Sequence, residues 1–193
     1  MSHCGIVILA AGGSSRLGQP KQLLPWRGTT LLRHAVQTAL ASSARPVAVV
    51  LGSDSANMQS QLDALDVKIV LNPDWQQGIG TSIRAGVAAL AQEKLDAIAL
   101  LLCDQPLIES AMIDRLIAEF SSSAKPICAA RYAGTLGTPA IFAASLFGEL
   151  SALADDQGGK AILKRHAADV HAVDLPAAEI DLDTPADLEK HLN

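Results

Sequence analysis

Residues 6–11 read IVILAA and run into residues 9–21, LAAGGSSRLGQPK, so a wholly apolar segment ends on a loop rich in glycine and hydroxyl groups. Two further runs share the character of that segment: Val47–Leu51 (VAVVL) and Ala97–Leu102 (AIALLL). None alternates polar and apolar residues as a strand with one wet face does. Each therefore reads as a strand covered on both faces, the mark of a parallel sheet between layers of helices. Helical patterns fall between the runs: Thr30–Ala41, with Leu31, Leu32, Ala35, Val36, Ala39 and Leu40 on one face, then Ala56–Leu65, Ser82–Ala91 and Ser110–Phe120. This alternation predicts an α/β fold, a doubly wound, mostly parallel sheet with helices on both faces and right-handed crossovers.

Weaker strand candidates are Lys68–Leu71, Ile127–Ala130, Ala140–Phe142 and Val170–Asp174. In the last third, Gly134, Gly137, Pro139 and the DDQGG of residues 155–159 mark loops. Thr184, Pro185 and Asp187 supply an N-cap, a first-turn proline and a first-turn acid for a closing helix that reaches about Leu192. No internal repeat or linker interrupts the 193 residues, a length that suits one domain.

Composition narrows the function classes. Fifteen Lys plus Arg stand against twenty Asp plus Glu, for a net charge of −5, and no basic run exists to track a nucleic-acid backbone. Charged residues make up 18% of the chain and mean hydropathy is +0.26, which excludes disorder as its organising principle. The three cysteines, Cys4, Cys103 and Cys128, lie far apart with no zinc-type spacing, so neither a disulfide framework nor a structural metal is expected, and a reducing cytoplasm fits. No secretory leader is read at residues 1–8, and no apolar run is long enough for a membrane span.

The loop after the first strand sits where open α/β sheets place their ligand crevice. Gly12, Gly13 and Gly18 allow close backbone approach to an anion, Ser14 and Ser15 add donors, and Arg16 and Lys21 add positive charge. The dinucleotide fingerprint G-x-G-x-x-G is absent. Gly13 and Gly18 have P-loop spacing, but Gln19 and Pro20 follow in place of Lys and Ser/Thr. Pro20 disfavours helical geometry at Gln19 and removes a donor where a P-loop helix begins, so the loop is expected to run extended and deliver Lys21 from its far end.

These residues resemble the molybdenum cofactor nucleotidyltransferase family. The likeness is carried by Leu9-Ala10-Ala11-Gly12, Ser15, Arg16, Gly18, Lys21 and Leu24-Pro25-Trp26. It continues in Asn72-Pro73-Asp74-Trp75 with Gly78 and Ser82, Cys103-Asp104-Gln105-Pro106, Gly137-Thr138-Pro139 and Asp181-Leu182-Asp183-Thr184-Pro185. Within that family the chain is most similar to the cytidylyltransferase branch, because Leu-Ala-Ala-Gly stands where the guanylyl branch typically reads Leu-Ala-Gly-Gly. The resemblance implies one Rossmann-like nucleotidyltransferase domain over residues 1–193, with a nucleotide-binding part to about residue 106 and an acceptor-side part after it.

The implied reaction moves CMP from CTP to the terminal phosphate of molybdopterin cofactor and releases pyrophosphate. Mg²⁺ is the implied cofactor, and a molybdoenzyme is a possible recipient of the product. Arg16 and Lys21 become the catalytic cations, and Leu9, Ala10, Ala11, Gly12, Gly13, Ser14 and Ser15 the nucleotide loop. Ala10 and Ala11 leave room for a base. Gly78, Gly80 and Ser82 resemble a second wall of the pocket, with helix capping as the alternative.

Asp104 stands just past the AIALLL run, where one carboxylate can hold Mg²⁺ together with phosphate oxygens; the alternative is a helix cap. Asp181 and Asp183 alternate along an extended stretch, so only one can face the crevice, and the resemblance selects Asp183 as a metal ligand against a simple helix-dipole role. Gly137, Thr138, Pro139 and Lys160 resemble acceptor-side elements, with Lys160 otherwise a solvated lysine. Trp26 and Trp75 either pack loop edges or stack on a base. Rival functions are transfer to another phosphorylated acceptor, use of GTP, non-catalytic delivery of the cofactor, and a P-loop NTPase.

Overall fold

The computed structural model describes residues 3–13 and 20–180. The apolar run at the start forms β1, Cys4–Ala10, and all seven of its residues are buried. After the loop come a short hairpin, β2 (Pro25–Trp26) with β3 (Thr29–Thr30), and the helix α1, Leu31–Ala41. Thr30 caps that helix by accepting from the Arg33 amide at 3.2 Å. The chain continues through β4 (Val47–Leu51), α2 (Ser55–Ser60), β5 (Lys68–Leu71), α3 (Ile79–Ala89), β6 (Ala97–Leu102) and α4 (Ser110–Ser123). It ends with β7 (Ile127–Tyr132), β8 (Thr135–Ala143), α5 (Phe147–Ser151), α6 (Gly159–Arg165) and β9 (Val170–Asp174).

Seven strands make one sheet in the order β5-β4-β1-β6-β8-β7-β9. All neighbours pair in parallel except those of β8, which runs against β6 and β7. The sheet is mostly parallel and doubly wound, as the alternation of runs and helices requires. Ile6, Ile8 and Ala10 join one apolar layer with α1 and α4, whereas Val7, Leu9 and Ala11 join the other with α3 and α6. Two covered faces explain why the run shows no polar alternation. From β1 the chain first winds outward to β4 and β5, then returns to place β6 on the other side of β1. That reversal is the switch point at which a crevice opens beyond the strand ends.

Several boundaries depart from the sequence pattern. The second helix stops at Ser60, and turns carry the chain to Ala64, whose φ is 63°. α3 begins at Ile79, because Gly78 at φ 138° turns the chain into the helix earlier than the apolar spacing suggests. Ser82 therefore sits inside the first turn rather than at a cap. Gly137 and Pro139, read as loop markers, belong to the nine-residue strand β8. The register explains this: Ala129 pairs with Ala140 but Ala130 pairs with Gly137, so Thr138 and Pro139 bulge out of the ladder. A residue without an N–H is tolerated in a strand at such a place. Gly159, read as part of a turn, opens α6. The closing helix expected from Thr184 lies outside the described residues.

Gly86 shows how tightly α3 lies on the sheet, since a Cβ there would stand 2.3 Å from Val7 Cγ1 on β1 and 3.1 Å from Val50 Cγ2 on β4. Gly86→Val should lower unfolding free energy by about 1–3 kcal/mol through overpacking, measured by urea denaturation. An unchanged midpoint would show that α3 lifts freely from the sheet.

Candidate active site

Two adjacent cavities open beyond the carboxyl end of β1. The first is lined by the end of that strand and the loop (Leu9, Ala10, Ala11, Gly12), by Lys21 and Gln22, by Cys103 and Asp104 after β6, and by Trp75, Ile79 and Ser82. The second is lined mainly by apolar side chains, among them Ile83, Leu100, Phe142 and Leu163, with Gly137, Thr138, Gly158, Gly159 and Lys160. Leu9, Ile79 and Leu102 border both, so the two form one continuous crevice.

Pro20 is extended, with ψ 113°, and a single 3₁₀ turn over Lys21–Leu23 follows. That turn brings Lys21 against Asp104, and the two side chains form an ion pair with only 18% and 12% of their surfaces exposed. The helix-cap alternative for Asp104 falls away, because α4 is capped at Glu109. Asp104 Oδ2 meets the lysine, while Oδ1 is buried with no hydrogen-bond partner among the described residues. A shielded, unpartnered carboxylate oxygen bordering a cavity is costly unless a cation or donor completes it. It is a hard oxygen donor, so its chemistry fits Mg²⁺ or Mn²⁺.

Gln22 is 1% exposed, and its Nε2 donates to Ala10 O at 2.9 Å and to Gly12 O at 2.7 Å. It clamps the start of the glycine loop onto the turn that carries Lys21. Sequence reasoning missed it, as a glutamine beside a lysine carries no pattern of its own. Gln105, also missed, donates through Nε2 to Thr138 O at 3.1 Å and Ala178 O at 2.8 Å, joining the Asp104 turn to the β8 bulge. His34 Nε2 donates to Pro106 O at 3.0 Å on the same turn. Burial lowers the pKa of His34, so the ring stays neutral there. Burial pushes the Cys103 thiol up from its ordinary value, which makes it an inert strand-end hydrophobe.

Ser82 borders the first cavity, and its hydroxyl accepts from Asn72 Nδ2 at 3.0 Å; the same amide group bonds Thr81 Oγ1 at 2.8 Å. Gly78 and Gly80 stand behind this wall, pressed on the loop before α6. Their Cβ positions would lie 2.1 Å from Asp155 O and 2.0 Å from Ala154 O, so both are required for packing. Gly80 N donates to Asp155 O at 2.8 Å, and Arg84 pairs with the Asp155 carboxylate at 2.6 Å. Gly137, Thr138 and Lys160 gather at the second cavity, whereas Pro139 borders a small hollow with His34 and Gln105 on the opposite face of the sheet. Trp26 is a core residue, 1% exposed, whereas Trp75 borders the first cavity. Ser14, Ser15, Arg16 and Asp183 lie outside the described residues.

Gln22→Leu keeps the volume but leaves the buried Ala10 carbonyl and the part-buried Gly12 carbonyl without this donor. We expect a loss of about 1–3 kcal/mol in stability and faster amide exchange at Gly12 and Gly13, followed by chemical denaturation and hydrogen exchange. Unaltered exchange would show that the loop is held by other means.

Residues 6–170 match the MobA-like NTP transferase domain. The nicotine blue oxidoreductase of Paenarthrobacter nicotinovorans is 38% identical over 112 residues, 58% of this chain and 54% of that protein. The molybdenum cofactor cytidylyltransferase of Escherichia coli K12 is 36% identical over 93 residues, 48% of each protein. The aligned chain thus spans about half the length of these two relatives. Rv0371c of Mycobacterium tuberculosis H37Rv, solved in complex with manganese, superposes with a TM-score of 0.77 at 29% identity, covering 100% of this chain and 98% of that one. With the switch-point crevice and its glycine loop, the family match over most of its length shows that the chain belongs to the MobA-like NTP transferase domain family.

Proposed function

We propose that this protein transfers CMP from CTP to the terminal phosphate of molybdopterin cofactor, with Mg²⁺ as cofactor, and releases pyrophosphate. The observation that carries the reading is Asp104: a shielded carboxylate whose Oδ1 has no hydrogen-bond partner among the described residues, paired with Lys21, at the mouth of a glycine-loop cavity. An acceptor phosphate oxygen attacks the α-phosphorus; the bond from that phosphorus to the oxygen bridging to the β-phosphate breaks, and pyrophosphate departs with the bonding electrons. The nucleophile is already anionic, so no protein base is required. Bound Mg²⁺ supplies charge neutralisation on the α-phosphate and the leaving group, held by Asp104 and, by family resemblance, Asp183. Lys21 exchanges its carboxylate for a phosphate oxygen, and Arg16, by family resemblance, is a second cation for the developing negative charge. In this reading residues to about 106 serve the nucleotide, and the later residues the acceptor.

A second acceptor class keeps the same transfer. The apolar lining of the second cavity, including Ile83, Leu100, Phe142 and Leu163, suits a flat, weakly hydrated body better than a sugar, whose buried hydroxyls would lack partners. Acceptors bearing such bodies belong in the same assay.

The test is thermal unfolding with CTP, GTP, ATP and UTP, each with and without Mg²⁺, followed by pyrophosphate release with molybdopterin. A ligand at one hundred times its dissociation constant stabilises by about 2.7 kcal/mol. We expect a Mg²⁺-dependent shift with CTP; a GTP preference would move the chain to guanylyl transfer, and tight cofactor binding without pyrophosphate release would make it a delivery protein. Lys21→Ala should lower turnover by roughly 10²-fold or more. Asp104→Asn should fold normally yet lose the Mg²⁺-dependent activity, and unchanged activity in either variant would overturn the role given to that residue.

A further inference from the structure

Resting on the nucleotidyl-transfer reading, we infer that the Trp75 indole is the wall against which the nucleoside base packs and the element that limits the site to a single-ring base. The order of strands sets the polarity of the first cavity. Asp104 follows β6, and Trp75 lies over Gly52 at the end of β4, on the opposite side of β1. The two ends are thus separated by two strand spacings, about 10 Å. With phosphates at the Lys21–Asp104 end, the base falls at the Trp75 end.

The indole is seated tightly there. A Cβ on Gly13 would lie 2.7 Å from Trp75 Cη2, and a Cβ on Gly52 would lie 2.6 Å from Trp75 Cγ. Both glycines make room for the ring. Asn72 steadies the approach to it, since its Oδ1 accepts from Asp74 N at 3.0 Å while its Nδ2 bonds Ser82 Oγ on the cavity wall. On its other side Trp75 borders a further hollow with Gly52, Ser55 and Leu71. The indole is therefore a partition, and removing it joins the two spaces into one long enough for a two-ring base.

The chain has two tryptophans, and Trp26 is buried apart from the cavity beside Leu24 and Leu31. Trp26→Phe leaves Trp75 as the reporter, and the difference between wild type and Trp75→Phe gives the same signal should Trp26→Phe fold poorly. Titration with CTP and Mg²⁺ should quench that emission. By calorimetry, Trp75→Ala should bind CTP about tenfold more weakly, lose its preference over GTP and ATP, and regain both in Trp75→Phe. Unchanged emission while calorimetry detects CTP binding, or an unchanged CTP-to-GTP ratio in Trp75→Ala, overturns the role of Trp75 and leaves nucleotidyl transfer standing. Failure of the wild type to bind any nucleoside triphosphate overturns the reading on which both rest.

Discussion

β1 is hydrogen-bonded along both sides, to β4 and to β6, and is covered on both faces. A strand so enclosed cannot shift register without exposing an apolar layer, and it has no free edge at which to slip. Its carboxyl end is consequently among the best-fixed points in the molecule. The groups of the first cavity are placed with respect to that end: the glycine loop leaves from it, Asp104 stands beside it after β6, and Trp75, carried by the turn after β5, covers the other flank over the end of β4. Geometry that a flexible loop alone would leave loose is inherited from the sheet.

The Lys21–Asp104 pair is the electrostatic counterpart of this arrangement. Two side chains exposed by only 18% and 12% have lost much of their hydration, and each compensates the charge of the other. The lysine reaches the aspartate from the far end of the loop, and Gln22, next in sequence, ties the loop's first carbonyls to the same turn. The end of β1, the cation and the carboxylate are thereby tied to one turn. On the proposed function, a triphosphate would meet a cation already at the cavity and a carboxylate oxygen that has no hydrogen-bond partner among the described residues.

Much of this could be read from the residues. IVILAA, VAVVL and AIALLL become the three central strands because burial on both faces leaves no reason for polar alternation, and Asp104 stands at the sheet edge because the third run stops at Leu102. The misses have equally definite causes. The β8 bulge depends on pairing with β7 and β6, so Gly137 and Pro139 look like loop residues until their partners are known. Gln22 and Gln105 act through contacts between distant segments, which no local spacing records.

Ile79 brings the two cavities into one argument. Among the described residues three large apolar side chains are exposed, Ile69, Leu71 and Ile79. Ile69 and Leu71 lie on the edge strand β5, where one side of the ladder is open. Ile79 has no such excuse, because it starts a helix whose next residues, Gly80 to Ile83, are all buried. It is 42% exposed and borders both cavities together with Leu9 and Leu102. On the proposed function, a ligand pair that meets in the crevice would cover this apolar ridge and exclude water along the line where donor and acceptor touch. In such a strip of low dielectric, Lys21 and a cation held by Asp104 would act on a developing phosphate charge more strongly than in open solvent. On that reading the exposed isoleucine and the shielded ion pair are two parts of one arrangement: the first removes water from the junction, and the second, with the cation Asp104 holds, supplies the field that its removal strengthens.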